Sequence, residues 1–186
     1  MATENLIQSG DVLLFSSTNP NFIERLILWG ESGTVFHAAI YIGGFNIVEA
    51  TCVGVKISPL TDYIGFDVTV RRLHSPNPSN QDDNLDIGTK IMSAALALVG
   101  DRYSYIDDVV DGVRFLFKKC GLNSISSTIA NKYQGFNGLL NCSALCAQAI
   151  QNATGINVCA PKEIQSITPQ DLLVSTAFKT IENKVI

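Results

Sequence analysis

The first 73 residues alternate short apolar segments with turn-forming residues, a pattern typical of β-strands. Each apolar segment is rich in β-branched or aromatic residues and is bounded by Gly, Asn or Pro. The pattern predicts strands over residues 11–15, 38–42, 47–50, 55–57 and 67–73. Within this half, the apolar residues of segment 22–27 follow a turn at 19–21 with helical spacing, which predicts one short helix.

The second half of the chain has the spacing of helices. Helices are predicted over residues 87–99, 106–119 and 142–152, the first ending at Gly100 and the third near Gly155. Thr168 followed by Pro169 matches the N-cap and first position of a further short helix.

Strands in one half and helices in the other predict an α+β fold rather than alternating βαβ units. A chain of 186 residues is expected to form one domain, residues 1–186. We divide it into a mostly β half at 1–73, a polar connector at 74–86 that is rich in Pro, Asn, Asp and Ser, and a mostly α half at 87–186.

Composition excludes several classes of protein. Hydrophobic residues make up 46% of the chain and charged residues 16%, which excludes a disordered chain. The net charge is −4 and no basic run is present, so we expect no nucleic-acid partner. The longest apolar run, near 91–99, is far shorter than the roughly 20 residues that cross a bilayer. The N-terminus shows no signal peptide, so a cytoplasmic location is expected, although an earlier leader could have been removed.

The chain contains five cysteines, an odd number without the spacing of a disulfide framework, so they are predicted to be reduced. They are Cys52, Cys120, Cys142, Cys146 and Cys159. The C-x-x-x-C pair at 142 and 146 could supply two metal ligands, but only two histidines accompany it in the whole chain. This pattern is a weak signal for a metal site.

The candidate base is His37, which opens an apolar strand, whereas His74 falls in the polar connector and is expected to be solvated. Glu49 follows His37 by twelve positions, across a Gly/Asn turn that favours a β-hairpin. A pairing centred on Gly43 would place His37 directly opposite Glu49, where the carboxylate could anchor one ring nitrogen. The alternatives are a structural histidine, and a solvated carboxylate on an edge strand.

The candidate nucleophile is Cys142, at the start of a predicted helix. A thiol in the first turn lies near unpaired N–H groups and the positive end of the helix dipole, which favours the thiolate. Cys146, one turn later, is expected to be a small core residue, and the remaining cysteines are expected to be structural.

These motifs together resemble the NlpC-type branch of the papain-like cysteine peptidases, in circularly permuted order. The strand His37-Ala-Ala-Ile-Tyr-Ile-Gly and the later Glu49 resemble the family's base and third polar residue. The helix start Cys142-Ser-Ala-Leu resembles its nucleophile motif, and Gly100-Asp-Arg-Tyr103 its Gly-x-x-Tyr motif. Lecithin:retinol acyltransferase-like proteins share the permuted order and an Asn-Cys helix start.

Two further segments resemble the bacterial permuted members: Gly10-Asp-Val-Leu-Leu-Phe their opening strand, and Thr168-Pro-Gln-Asp-Leu their closing helix. The chain departs from the family in three ways. Ordinary members commonly have His where Glu49 stands, Asn141 rather than Asp precedes the thiol, and the stretch 104–140 is longer than usual. This stretch is apolar enough to act as a lid, or to be an insertion packed on the core.

The resemblance implies an antiparallel β-sheet or barrel half followed by a helical half that carries the nucleophile. It also implies a cysteine hydrolase with a Cys142-His37-Glu49 triad, an oxyanion site that includes Tyr103, and no cofactor. The leading prediction is cleavage of an amide in a small peptide, such as a cell-wall peptide. The alternatives are a lipid-directed acyl hydrolase or acyltransferase, and a non-catalytic binding protein of the same fold.

Overall fold

The computed structural model describes residues 7–16, 34–51, 54–74, 81–101 and 141–185. These ranges contain six strands: β1 (Val12–Ser16), β2 (His37–Gly43), β3 (Asn46–Thr51), β4 (Gly54–Pro59), β5 (Asp67–Leu73) and β6 (Phe178–Val185). They also contain three α-helices and two short 3-10 turns: α1 (Gln81–Ala97), α2 (Cys142–Thr154), α3 (Pro169–Val174), Leu60–Tyr63 and Ile164–Ser166.

The strands form one antiparallel sheet in the order β4-β3-β2-β1-β5-β6. This confirms the predicted α+β class, with all five predicted strands present. The half predicted to be mostly α also contains a strand, β6, which completes the sheet beside β5. Phe178 anchors this strand in the core with 4% of its surface exposed.

Side chains alternate between the two faces of the sheet, and each face has its own apolar core. On one face, alternate residues such as Leu14, Ala38 and Val48 pack against helices α1 and α2. On the other, Leu13, Phe15 and Ala39 pack with residues of the Leu60–Tyr63 turn. His37 also points to this second face, because it lies two positions before Ala39 on β2.

The helix boundaries differ in part from those predicted. Helix α1 begins at Gln81, so the polar connector ends six residues earlier than the predicted boundary at 86. As predicted, Gly155 ends α2 in the left-handed conformation, and Thr168 caps α3 in a reciprocal capping box with Asp171. The helices predicted at 22–27 and 106–119 lie outside the described residues, as does the rest of 104–140. Among the residues described, no helix has the length and apolar character needed to cross a membrane.

Candidate active site

The imidazole of His37 lies at one end of the sheet, because His37 is the first residue of β2. The predicted direct pairing of His37 with Glu49 was wrong: the cross-strand partner of Glu49 is Ala39. A register irregularity between Tyr41 and Gly43 shifts the hairpin from the predicted centre. The residue paired with Glu49 is therefore two positions later than predicted. Because side chains alternate between the faces of a sheet, an even shift leaves His37 and Glu49 on the same face.

The diagonal arrangement still brings the two groups together. His37 Nε2 lies 2.8 Å from Glu49 Oε2, across the small side chain of Ala39. A carboxylate at this distance fixes the orientation of the ring and leaves Nδ1 for a second partner.

Glu49 is buried, with 2% of its surface exposed. It lies on β3, which pairs with β2 on one side and β4 on the other. The alternative of a solvated carboxylate on an edge strand was therefore wrong. A buried carboxylate has to be hydrogen-bonded or paired, because desolvation of an isolated charge is costly.

Several neighbours satisfy both carboxylate oxygens of Glu49. Ser58 Oγ donates to Oε1 at 2.5 Å, and Lys56 Nζ lies 3.7 Å from the same oxygen. The Tyr63 hydroxyl donates to Oε2, the oxygen that also faces His37. Because β3 pairs with β4, both Lys56 and Ser58 point to the face that carries the Glu49 side chain.

The charge of Glu49 is set by these contacts. Burial raises the pKa of Glu49, but the hydrogen bond and positive charge of His37 act in the opposite direction. Together with hydrogen bonds from Ser58 and Tyr63, they lower the pKa of this carboxyl group to about 2. Glu49 is therefore a carboxylate at neutral pH.

Two aromatic rings support the imidazole. The Tyr63 ring stacks on His37 at 5.6 Å between centroids and 7° between planes, and it stacks on Phe15 at 4.1 Å. Phe15 also contacts the imidazole at 5.7 Å. The rings limit rotation of the imidazole, so the plane of His37 is fixed by packing as well as by its hydrogen bond.

Cys142 is the first residue of α2, as predicted. Asn141 is the N-cap, and its Oδ1 accepts a hydrogen bond from the backbone N–H of Ala144 at 2.6 Å. This cap holds the first turn in place, so the sulfur sits at the positive end of the helix dipole. The thiol is largely buried, with 7% of the residue exposed.

The side chain of Cys142 lies close enough to the His37 ring to affect its pKa, although the two residues are 105 positions apart in the sequence. Burial lowers the pKa of His37, but hydrogen bonds with Cys142 and Glu49 and the negative charges of both side chains raise it to about 9. Since Nε2 faces Glu49, Nδ1 is the nitrogen available to the thiol. The arrangement is a row of sulfur, imidazole and carboxylate, in which the ring can carry a proton at neutral pH.

One short segment connects the two parts of this row. Ser143 Oγ donates to the carbonyl oxygen of Ile167 at 2.5 Å, which ties the start of α2 to the residues before α3. In α3, Gln170 Oε1 accepts from the backbone N–H of Thr34 at 2.9 Å, three residues before His37. The segment from Ile167 to Gln170 therefore connects helix α2, which begins at Cys142, to the residues before strand β2, which begins at His37.

The other sequence-predicted candidates lie elsewhere. Cys146 is fully buried in the core, as predicted, and burial raises its pKa well above the ordinary value. Cys159 is half-buried, and burial together with the charge of Asp171 raises its pKa to about 11. His74 follows β5 and is exposed, as predicted. Cys52 and Cys120 lie outside the described residues.

Tyr103 also lies outside the described residues, but the chain can be followed to Asp101. The backbone oxygen of Asp101 accepts from Val55 N at 2.9 Å, and Gly100 N donates to Val55 O at 2.9 Å. Gly54, at the start of β4, has a φ of +117°, and a Cβ there would lie 2.8 Å from the oxygen of Asp101. Gly54 thus permits the close approach of the segment that leads to Tyr103.

Sequence reasoning missed the residues that surround Glu49. Ser58 directly follows the strand predicted at 55–57, and its position two residues after Lys56 was a usable signal that both side chains share a face. Tyr63 lies in a 3-10 turn, where no periodic pattern indicates which way a side chain points.

Comparisons with known proteins identify the fold but not a family. No family model matches the chain, and no curated protein matches it. A solved structure described as metalloprotein yiiX from Escherichia coli O157:H7 is similar, with a TM-score of 0.62 and 16% sequence identity. The match covers 95% of this chain and 97% of that one. At this identity the likeness concerns the fold alone.

Proposed function

We propose that this protein is a cysteine hydrolase of the circularly permuted, NlpC-type papain-like class, acting through Cys142, His37 and Glu49. The observation that carries the proposal is the shared imidazole: His37 Nε2 lies 2.8 Å from Glu49 Oε2, and Cys142 at the start of α2 lies near enough to raise the pKa of the same ring. A nucleophile, a base and a group that orients the base are the components of covalent acyl-transfer catalysis.

The reaction starts with attack of the Cys142 sulfur on a carbonyl carbon, which forms a C–S bond. His37 then gives its proton to the leaving amine as the C–N bond breaks, which leaves a thioester on the enzyme. Water attacks the thioester while His37 accepts its proton, the C–S bond breaks, and the acid leaves with Cys142 restored as a thiolate beside the imidazolium. Glu49 keeps the ring in orientation throughout and stabilises its cationic form.

The developing oxyanion needs hydrogen-bond donors. The backbone N–H of Cys142, at a helix N-terminus, is one candidate, and the Tyr103 hydroxyl is the other by family resemblance. One such donor is typically worth about 3 kcal/mol in the barrier.

The yiiX structure is described as a metalloprotein, which raises the question of a metal site in this chain. Within the part of the chain that the structure describes, no group of three or more His, Cys, Asp or Glu side chains is placed to hold a metal ion. His37 and Glu49 bond directly to each other, so a metal would have to displace that contact. The proposed reaction uses side chains of this chain alone.

The substrate we propose is a small peptide with a cleavable amide. Incubation with D,L-peptides, followed by intact mass measurement, should trap an acyl adduct on Cys142. Short-chain phospholipid esters form the comparison set, since a lipid-directed enzyme would acylate from these and not from peptides.

Thiol reactivity tests the chemistry without knowledge of the substrate. We expect iodoacetamide to label Cys142 well below pH 8.5, the ordinary cysteine value, and His37→Ala to remove this low-pH labelling. Cys146→Ala serves as the control, because Cys146 is fully buried in the core and its loss should leave the labelling unchanged. If Cys142 labels as an ordinary thiol with or without His37, the protein is not a thiol hydrolase.

A further inference from the structure

The contacts around Glu49 assign a role to two residues outside the triad. We infer that Tyr63 and Ser58 are positioning residues, which hold the Glu49 carboxylate and the His37 ring in the geometry that presents Nδ1 to Cys142. This inference rests on the proposed function, because it concerns the same site.

Tyr63 acts on both members of the base pair at once. Its hydroxyl donates to Glu49 Oε2, the oxygen that faces His37 Nε2, while its ring lies nearly parallel to the imidazole at 7°. One rigid side chain therefore sets the position of the carboxylate and the plane of the ring. Phe15 backs Tyr63 at 4.1 Å, which keeps the tyrosine itself from turning.

Ser58 holds the opposite oxygen of the same carboxylate. It is buried, with 1% of its surface exposed, and donates to Glu49 Oε1 at 2.5 Å. With Oε1 bound to Ser58 and Oε2 bound to Tyr63 and His37, the carboxylate cannot rotate without losing a hydrogen bond. Loss of either hydroxyl frees this rotation and removes a donor that favours the ionised form.

The matched variants are Tyr63→Phe and Ser58→Ala, each of which removes one hydroxyl and keeps the packing. We expect each variant to slow low-pH labelling of Cys142 by about 10-fold, since each loses a hydrogen bond to a charged group. The acid limb of the labelling profile should move to higher pH, because Glu49 is then protonated more easily. Tyr41→Phe is the control. Tyr41 also lies on β2, but its hydroxyl accepts a hydrogen bond from the backbone N–H of Phe45.

A second measurement separates positioning from general stability. His37 and His74 are the only histidines, so two imidazole signals are expected by NMR, and the exposed His74 serves as an internal reference. Tyr63→Phe and Ser58→Ala should shift the His37 signal and its titration, and leave those of His74 unchanged. Thermal unfolding of each variant checks that the fold is retained.

The outcomes are distinguishable. In one outcome, Cys142 of the wild type is labelled at low pH in a His37-dependent way, and both variants show the same labelling profile and the same His37 titration. Tyr63 and Ser58 are then not positioning residues, although the hydrolase proposal stands. A change in both measurements that Tyr41→Phe does not produce supports the assignment. If the wild-type thiol is itself unactivated, the proposed function and this inference fail together.

Discussion

His37 Nε2 lies 2.8 Å from Glu49 Oε2, although the residue paired with Glu49 across the hairpin is Ala39. His37 and Glu49 are thus diagonal neighbours across the paired strands β2 and β3. Such a pair depends on the exact hairpin register and on the groups that hold the carboxylate. The predictions that follow test these dependencies.

Substitution Glu49→Gln should lower the pKa of His37. The pKa of His37 is about 9 in the wild type, and Glu49 contributes both a hydrogen bond and a negative charge to this value. We expect a fall of about 1–3 units, the usual effect of losing a nearby opposite charge, measured by NMR titration against His74. The control is Glu163→Gln on the exposed side chain before the Ile164–Ser166 turn, and an unchanged His37 titration in Glu49→Gln would contradict the prediction.

The same carboxylate should make stability depend on acid pH. The pKa of Glu49 is about 2 in the folded protein against an ordinary 4.5, so its stabilising effect is present above pH 4.5 and is lost as the pH falls towards 2. Between pH 5.5 and 2.5, the free energy of unfolding measured in urea should fall more for the wild type than for Glu49→Gln, by on the order of 2 kcal/mol. Parallel curves would show that the charged form of Glu49 gains nothing from folding.

The raised pKa of His37 makes stability depend on pH in the opposite direction. Its folded value of about 9 exceeds the ordinary 6.5, so the stabilisation from imidazolium is complete below pH 6.5 and is lost as the pH rises to 9. We expect low-pH activation of Cys142 to persist through neutral pH and to end above about pH 9, as measured by the ratio of wild-type to His37→Ala labelling rates. A ratio that already reaches one near pH 7 would be inconsistent with this prediction.

Removal of the helix cap should affect the thiol more than a comparable change elsewhere on α2. Asn141→Ala removes the acceptor for Ala144 N–H and should cost about 1 kcal/mol in the free energy of unfolding. We also expect slower labelling of Cys142, since the first turn is no longer held. Asn152→Ala, near the other end of the helix, removes only an exposed bond with Gln148 and is the control. Equal labelling in both variants would show that the cap does not position the sulfur.

Two glycines give a matched test of the approach towards Tyr103. Gly54 and Gly65 both have positive φ, at +117° and +95°, but only at Gly54 would a Cβ meet another atom within 4 Å. Gly65→Ala should therefore lower the free energy of unfolding only by the backbone strain of about 1–2 kcal/mol. Gly54→Ala should lower it more and should also slow labelling of Cys142. Thermal unfolding and labelling of both variants test this, and an equal loss of stability would mean that Asp101 moves away freely.

The sequence predicted the faces of the sheet better than its register. Alternation along β2 and β3 correctly placed His37 and Glu49 on one face, because that depends only on parity. The register depends on the turn, where Phe45 takes a φ of +59° and an irregularity follows Tyr41. Nothing in the residue types of this turn indicates that combination.

Strand β6 and the surroundings of Glu49 were missed for different reasons. In β6, Phe178 and Ile181 alternate irregularly with polar residues, so the pattern is too weak to predict a strand. Tyr63 reaches Glu49 from a turn fourteen residues away in the sequence, a contact that only the three-dimensional arrangement of β4 and its following turn creates. Asn141 was noted as the residue before the thiol, but its role as a cap depends on backbone geometry.

The order of the elements along the chain has a consequence for biosynthesis. The ribosome makes the hairpin with His37 and Glu49 about a hundred residues before it makes Cys142. A nascent chain that has completed β2 and β3 therefore contains the imidazole and its carboxylate partner but not the sulfur of Cys142. The three side chains can come together only after helix α2 has left the exit tunnel and docked.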